Sequence, residues 1–558
     1  MANFKHVAVI GGGISGLSSL YYLIQRVHSA GQCLILTLYE SKNALGGNAE
    51  TVTVDLGMRV NPEDPSQHRY QRWADLGVND MNLSAYPETE KLMQAVGYLE
   101  HLKPLQNSEC YWAADGSVEL TDDNDLTFGV SDPDFNLNYV DGGKFAQLIK
   151  VIHQAGLDKV KDEHLPTSYT VAQFFNDCMN QPQAMLTMAA AELGISVNWN
   201  DPELKIRIKN IRDRIYYPRI SAMYFTDDRG PGLMPLAAPF NYYRIQEGGA
   251  QKPNRRYFDG GAQKWLEMLS SYIQKNMASA QVRVIIRRNT PVSVVHLSAN
   301  KVIVETAQGT VEHDMCIMAT HADDALKVLR FAPDLAQEGQ QLSSLMRQVR
   351  YTRSFAVCHT DAGCMPHNKN IWRTYNVPVR KPSDSQAYNI HYVVNLHQND
   401  HNVPAYDHAG LPQYFVSLVE DLSRIPAESM LNRVNYVHQL SPQIRHVLPK
   451  ATVQRMQDDA LQSGYTSQMQ QIPQELNGKA WTMFKHNVLD ANCMQAQRDL
   501  QAYQAKQAAS IAAGSLPRCR LFFSGGWTNG AGLHEQCLMQ AQQVSQWLMP
   551  SSMQRKAG

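Results

Sequence analysis

Charge is scarce in this chain. Asp, Glu, Lys and Arg make up 18% of 558 residues, and 51 basic side chains nearly cancel 52 acidic ones. Such a balance sets up no overall field for a polyanion, so nucleic acid is not an expected partner. No apolar run approaches the roughly 18 residues that a membrane-spanning helix needs, so membrane contact would be peripheral at most. The nine cysteines are odd in number and scattered, with no CxxC pair to clip zinc or run thiol exchange. GxSxG elbows, P-loops and HExxH are also missing, which removes the usual hydrolase, kinase and zinc-protease readings. His397, His401 and His408 fall in a polar stretch without helical spacing, so no metal site is expected. The first ten residues run straight into a strand and leave no room for a secretory signal. Together with unpaired thiols, this makes a cytoplasmic protein the expectation.

Apolar residues, in contrast, are plentiful at 44%, enough for a large buried core. The length is several times the roughly 150 residues of a single domain, so two or three lobes are expected.

The clearest local pattern stands at the start. Val7-Ala8-Val9-Ile10 reads as a buried parallel strand, and Gly11-Gly12-Gly13-Ile14-Ser15-Gly16 follows it directly. Helical spacing of Leu17, Leu20, Leu23 and Ile24 comes next. Strand, GxGxxG turn and helix occur in the order that dinucleotide binding requires. Gly11 permits the turn, Gly13 lets the backbone approach a pyrophosphate, and Gly16 allows close packing of helix on strand. Ile14 and Ser15 then offer first-turn amides to phosphate oxygens. A second apolar strand, Cys33 to Tyr39, ends in Glu40, the acid expected to hold a ribose diol. Behind it, Gly46-Gly47-Asn48 forms another glycine loop, suited to a backbone that passes under a longer cofactor.

Later segments return to the same place. Gln281–Ile286, Thr290–Val295, Lys301–Glu305 and Val311–His313 read as a β-meander beside the parallel sheet, with Val292 as a candidate cofactor contact. Cys316 to Thr320 reads as a buried strand. Arg520 to Ser524 is another, followed by Gly525-Gly526-Trp527, by Gly530-Ala531-Gly532, and by an amphipathic helix from Leu533 to about Leu548.

These residues together resemble the flavin-containing amine oxidase superfamily. The matching pieces are Gly11 to Gly16, Glu40, Gly46-Gly47, the Phe258-Asp259-Gly260-Gly261 turn before a helix from Gln263 to Ile273, Pro291-Val292, Ala319-Thr320, and Gly525-Gly526 to Gly532. Within it the chain is most similar to a branch of FAD-binding oxidoreductases often met beside lipid-modifying enzymes. Gly47-Asn48-Ala49-Glu50-Thr51-Val52, Ala319-Thr320-His321-Ala322-Asp323-Asp324, Cys358-His359-Thr360-Asp361 and Gly532-Leu533-His534-Glu535 carry that likeness. The chain departs from the branch at Asn48, which replaces a His, and at Gln536-Cys537, which replaces Asp-Gly.

The resemblance implies an α/β architecture: a glutathione-reductase-type, Rossmann-like FAD-binding fold with an interleaved α+β substrate domain. The expected division is 1–60, 245–330 and 485–550 for FAD, with 61–244 and 331–484 for substrate. It implies non-covalent FAD on Gly11, Gly13, Ile14, Ser15, Gly16, Glu40, Gly46, Gly47, Asn48, Val292, Gly525, Gly526, Gly532 and Leu533. His534, Glu535 and Trp527 are the candidate catalytic residues. True amine oxidases often place an aromatic at the position of Leu533, and a lysine on the strand corresponding to Met346 to Met365, which here contains none.

The chemistry expected is therefore hydride transfer to flavin N5, as desaturation or double-bond isomerisation, from an apolar and possibly unsaturated fatty-acyl substrate. The alternative is an amine or amino-acid oxidase producing imine and hydrogen peroxide. The apolar segment between Ile215 and Phe240 reads either as the core of the helical lobe or as the lining of a channel for a long ligand. The oligomeric state is open.

Overall fold

The computed structural model describes residues 5–30, 33–60, 67–113, 118–122, 142–162, 164–224, 230–246, 253–379, 389–398, 413–434, 476, 478–515 and 517–550. A five-stranded parallel sheet organises the cofactor side. Its order is Val282–Arg287, Leu34–Tyr39, Lys5–Ile10, Met315–Met318, Leu521–Phe523, with the N-terminal strand in the middle. Strands covered on both faces need continuous apolar sequence, and Val7–Ile10 and Met315–Met318 supply it, all eight residues being buried. The helix Ile14–Ala30 buries Leu17, Leu20, Leu23, Ile24 and Val27 and packs along the C-terminal helix His534–Leu548.

One expectation is corrected here. The 281–286 segment does not open the meander: Val282–Arg287 pairs in parallel with Leu34–Tyr39 at the edge of the main sheet. The helix Ala262–Tyr272 precedes it, so the chain crosses over before re-entering the sheet, which is the connection that parallel pairing requires. The antiparallel meander consists of Val292–Leu297, Val302–Thr306 and Gly309–His313, with Leu329–Phe331 added in parallel.

A seven-stranded sheet forms the other half. Its order is Trp481–Asn487, Tyr351–His359, Phe415–Val419, Ile390–Val393, Tyr375–Val379, Glu109–Ala113, Val118–Asp122. The strand expected within 346–365 is thus Tyr351–His359, and Trp481–Asn487 runs across the expected boundary at 485. Two three-stranded sheets bridge the halves. One joins Asn432–Arg433, Thr51–Val60 and Gln67–Asp75; the other joins Asp80–Asn82, Arg255–Phe258 and Leu102–Pro104.

Helices between Gly142 and Gln246 make a bundle whose buried side chains join the core shared by the sheets. Here Ile215, Tyr216, Ile220, Met234, Leu236 and Phe240 are buried in one core, with the Tyr216 ring stacked on Phe240 at 5.8 Å. Of the two readings for the Ile215–Phe240 segment, the core one describes these side chains, which fill space rather than line it. Phe225 lies outside the described residues.

Candidate cofactor and active site

The C-terminal ends of three neighbouring parallel strands meet at one edge, and each continues into a turn of small residues. An ideal Cβ on Gly16 would stand 1.9 Å from the Gly11 carbonyl oxygen, so only glycine lets the first helix sit this close to its strand. Gly11 itself has φ +110 and faces the Ala319 carbonyl, which a Cβ would approach to 2.8 Å. Gly525 packs equally tightly on the Thr320 carbonyl oxygen, 2.1 Å from its ideal Cβ. The turns after all three strands therefore lock together through backbone, at the sheet edge where open α/β folds bind ligands.

The Gly46-Gly47 loop closes over this floor. Gly46 N donates to the Gly12 carbonyl at 3.0 Å, and Gly13 would carry a Cβ only 3.6 Å from Gly47 Cα, so no protein side chain stands between the two loops. Both Gly46 and Gly47 have positive φ, a backbone that other residues adopt at a cost. Glu40 accepts from Gly12 N at 2.7 Å, Lys42 N at 2.8 Å and Ser41 Oγ at 3.1 Å. A carboxylate offers about four lone-pair sites, so one acceptor site remains, on Oε2, for a diol hydroxyl.

Residues outside the sequence-based set hold the loop in place. Glu267 accepts from Leu45 N at 3.1 Å and pairs with both Arg288 guanidinium nitrogens at 2.8 and 2.6 Å. Gln263 donates to the Leu45 carbonyl at 3.2 Å and accepts from Thr51 N at 3.2 Å. Gln263 and Glu267 lie on the helix after the Gly260-Gly261 turn, a turn visible in the sequence, whereas Arg288 follows the strand Val282–Arg287 and carried no local signal. Asn48 is exposed and donates to the Lys485 carbonyl at 3.4 Å. Val292 begins the meander, paired with Thr306.

At the other end of the site, Gly526 and Gly532 face each other across the C-terminal turn. A Cβ on Gly532 would meet the Gly526 carbonyl oxygen at 2.8 Å. Leu533 is half-buried at the N-cap, its N–H donating to Gln536 Oε1 at 3.1 Å. His534 is buried, its Nδ1 has no partner, and burial lowers its pKa to about 4, so it is a neutral imidazole at pH 7. Glu535 caps the helix Pro87–Val96: it accepts from Glu88 N at 3.0 Å, Thr89 N at 2.9 Å and Thr89 Oγ1 at 2.8 Å. Its carboxylate is thereby occupied at an anion-favouring helix start. Trp527 is buried beside Phe523, and its Nε1 has no partner.

A flavin dinucleotide fits this arrangement on three counts. The glycine loops leave a cradle without side chains, the helix Ile14–Ala30 opens its first turn toward it, and two buried nitrogens, His534 Nδ1 and Trp527 Nε1, lack protein partners at the C-terminal turn. Buried polar groups seldom go unpartnered, so these two await a ligand atom or water. Gly13, Ile14, Ser15 and Gly16 would hold the pyrophosphate, Glu40 the ribose, and the Gly525–Leu533 turn the ring system.

Charges also gather where the two halves meet. Lys485, buried on the strand Trp481–Asn487, lies 2.8 Å from both Asp323 carboxylate oxygens and 2.7 Å from Asp324 Oδ2. His321, Asp323 and Asp324 are close enough together to suit a cation, and the Lys485 ammonium already sits against both carboxylates. His397 is corrected from the polar loop expected for it: it ends the short helix Val394–His397, is buried, and lies 3.3 Å from Asp80 Oδ2. His401 and His408 lie outside the described residues. All nine cysteines are unpaired, and no described helix is long and apolar enough to cross a membrane.

Comparison with known proteins agrees with this geometry. The sequence profile of the flavin-containing amine oxidoreductases matches residues 14–549. Among solved structures, the chain is similar to a CLA-producing fatty acid isomerase from P. acnes, at 12% identity and TM-score 0.52, covering 97% of this chain and 98% of the other. It is also similar to a cyclohexylamine oxidase from Brevibacterium oxydans IH-35A, at 14% identity and TM-score 0.51, covering 98% of each chain. None of the curated proteins matches the chain. At these identities the structural likenesses establish the fold. The profile match over almost the whole length establishes more: the chain belongs to the family of flavin-containing amine oxidoreductases, enzymes of the oxidoreductase class.

Proposed function

We propose that the chain binds FAD without a covalent link and oxidises or isomerises an apolar, unsaturated fatty-acyl substrate. The observation that carries the substrate choice is Leu533. It stands at the N-cap of the C-terminal helix, beside the Gly526–Gly532 turn, in contact with both large apolar cores. An aliphatic wall at this place suits a hydrocarbon better than an aromatic cage for an amine. Two further features agree. The strand Tyr351–His359 carries no lysine, and Lys485 on the neighbouring strand is taken up by Asp323 and Asp324. The fold itself does not decide, since one similar structure is a fatty acid isomerase and another an amine oxidase.

FAD, when bound, supplies a hydride acceptor at N5; the protein supplies orientation and a dry site. His534, neutral at pH 7, orients a ligand through Nδ1 rather than through charge. Glu535 is a positioning residue, tying the start of the C-terminal helix to Glu88 and Thr89. Non-covalent binding is supported by the state of the Cys537 thiol beside the turn: its Sγ donates to the Gly532 carbonyl at 3.3 Å, and burial pushes its pKa up to about 11, which disfavours a thiolate for ring attachment. A second reading, amine oxidation, is favoured by Trp527, whose indole could serve as one aromatic wall.

Anaerobic incubation of the yellow holoprotein with oleate and linoleate, followed by mass spectrometry and double-bond mapping, tests the proposal. Expected is a positional isomer or a further desaturated acid. Unchanged acids in the presence of fully bound FAD would overturn it.

A further inference from the structure

The backbone at the ring end of the site cannot draw its hydrogen bonds from a sheet ladder. Its middle, Gly526–Thr528, is one short 3₁₀ turn between the strand Leu521–Phe523 and the C-terminal helix, so its carbonyls must find donors elsewhere. They find them on the long helix Ala491–Ala512. Gln497 Nε2 donates to the Trp527 carbonyl at 2.8 Å and to the Gly530 carbonyl at 2.8 Å, while Gln497 Oε1 accepts from Gly530 N at 3.2 Å. Farther along the helix, Gln501 donates to the Thr528 carbonyl at 3.4 Å and Gln504 accepts from Phe523 N at 2.6 Å. Positions 497, 501 and 504 share one helix face, so the three amides form a stripe that grips the backbone from the end of the strand to Gly530. Gln495 lies off that stripe and pairs instead with Asp499 on the exposed side.

The helix is itself fixed to the other half of the molecule. Its N-cap Asp490 accepts from Cys493 N at 2.8 Å and pairs with Arg350 at 2.7 Å. Asn487, the last residue of the strand Trp481–Asn487, donates to the same Gly530 carbonyl at 3.0 Å, so this carbonyl is held from helix and sheet at once. Beside these gripped points stands Trp527, 1% exposed, whose Nε1 has no partner. An unused donor on so buried a side chain is destabilising unless a ligand atom or water accepts from it. The amide bonded to the carbonyl of the same residue fixes where that donor stands.

We propose that Gln497 is a positioning residue of the cofactor site, its amide fixing the Trp527–Gly530 backbone so that the Trp527 indole N–H meets an acceptor on the flavin ring system. The proposal rests on the reading that the ring system occupies the Gly525–Leu533 turn, and it is independent of the substrate.

The test compares Gln497→Met and Trp527→Phe with the wild type by apoprotein melting, FAD titration, visible circular dichroism of the bound flavin and its reduction potential. Methionine keeps the length and helix propensity of glutamine and brings no donor. FAD binding should weaken about tenfold, the size of one or two net hydrogen bonds. A preorganised donor favours the electron-rich reduced ring over the oxidised one. Affinity for reduced flavin should therefore fall about tenfold further, which lowers the two-electron potential by about 30 mV. Trp527→Phe should shift the potential the same way, and the double variant should add little to either change, because both act through one donor. Gln497→Glu keeps the acceptor for Gly530 N and supplies a donor only when protonated, so its FAD affinity relative to wild type should recover as pH falls from about 8.5 to about 6.5. Wild-type potential and dichroism in Gln497→Met, whatever its melting temperature, would overturn the proposal, since the amide would then serve stability alone. So would a Gln497→Glu protein whose relative affinity ignores pH. If Trp527→Phe also leaves both flavin signals at their wild-type values, the ring lies elsewhere and the underlying reading fails too; if Trp527→Phe moves them and Gln497→Met does not, only the positioning role fails.

Discussion

The two halves of the site are specified in different ways. The cofactor side is built from side chains that are absent: Gly11, Gly16 and Gly525 are places where backbone meets backbone within what a single Cβ would fill. The facing side is built from side chains that are present and paired, with His397 and Asp80, Lys485 and Asp323, and the charges around Glu50 drawn from distant parts of the chain. Substitution should therefore fail sterically on one side and electrostatically on the other, and four predictions sharpen that contrast.

The largest effect belongs to Gly16→Ala. Overpacking costs about 1–3 kcal/mol where side chains can move aside, and more where the obstacle is backbone, as the Gly11 carbonyl is here. Expected is a protein without bound flavin, read from the ratio of visible to ultraviolet absorbance. Gly13→Ala is the control: its Cβ meets nothing closer than 3.6 Å, so the protein should fold with a normal melt yet lose FAD affinity, because the methyl enters the cradle.

Next comes Arg433→Met. Glu50 is buried between Arg433 at 3.0 Å and Lys42 at 3.2 Å, with Thr482 Oγ1 donating at 3.0 Å. Burial alone would raise the Glu50 pKa, but the two cations and their hydrogen bonds outweigh it and hold the carboxyl below its usual value. Breaking such a pair costs about 3–5 kcal/mol, measurable by urea denaturation.

Acid should act on both halves. His153, His313, His359, His486 and His534 are all lowered by burial, to between about 3 and about 4. Their folded pKa values lie below the unfolded value of roughly 6.5, so the unfolded state binds more protons and stability falls with pH below that point. Each contributes up to about 1.4 kcal/mol per pH unit. Glu50 adds a second loss only below its unfolded value of about 4.3. Melting temperatures should be flat from pH 7 to 8 and drop steeply from about 6.5 downward; an optimum near pH 5 would contradict these burials.

The smallest effect is Glu40→Ala, where one charged hydrogen bond of about 1.5–3 kcal/mol is lost. FAD affinity should fall by at least roughly 10- to 200-fold on that figure, measured by flavin fluorescence titration, because the Gly12 and Lys42 amides of the loop lose the same acceptor. Unchanged affinity would mean that the ribose is held elsewhere.

The same contrast explains what could be read in the sequence. Gly11 to Gly16, Glu40 and Gly525 to Gly532 are local patterns whose spacing encodes a turn, so the parallel sheet and its glycine edge were legible. Val282–Arg287 was misplaced because a short β-branched run looks alike in a meander and in a parallel edge; only the crossover helix before it decides. Asp80 and His397 carried no local signal, since 317 positions of chain separate residues that the fold pairs. The apolar 215–240 segment was ambiguous for a different reason: core and channel need the same composition, and only packing separates them.

Anaerobic stopped-flow reduction of the bound flavin tests the central claim most directly, with unsaturated fatty acids and a panel of benzylamine, a polyamine and amino acids compared on one preparation. The account predicts bleaching, or isomerisation without net bleaching, by the fatty acids and a stable oxidised spectrum with every amine. Rapid bleaching by an amine together with no response to the fatty acids would contradict it.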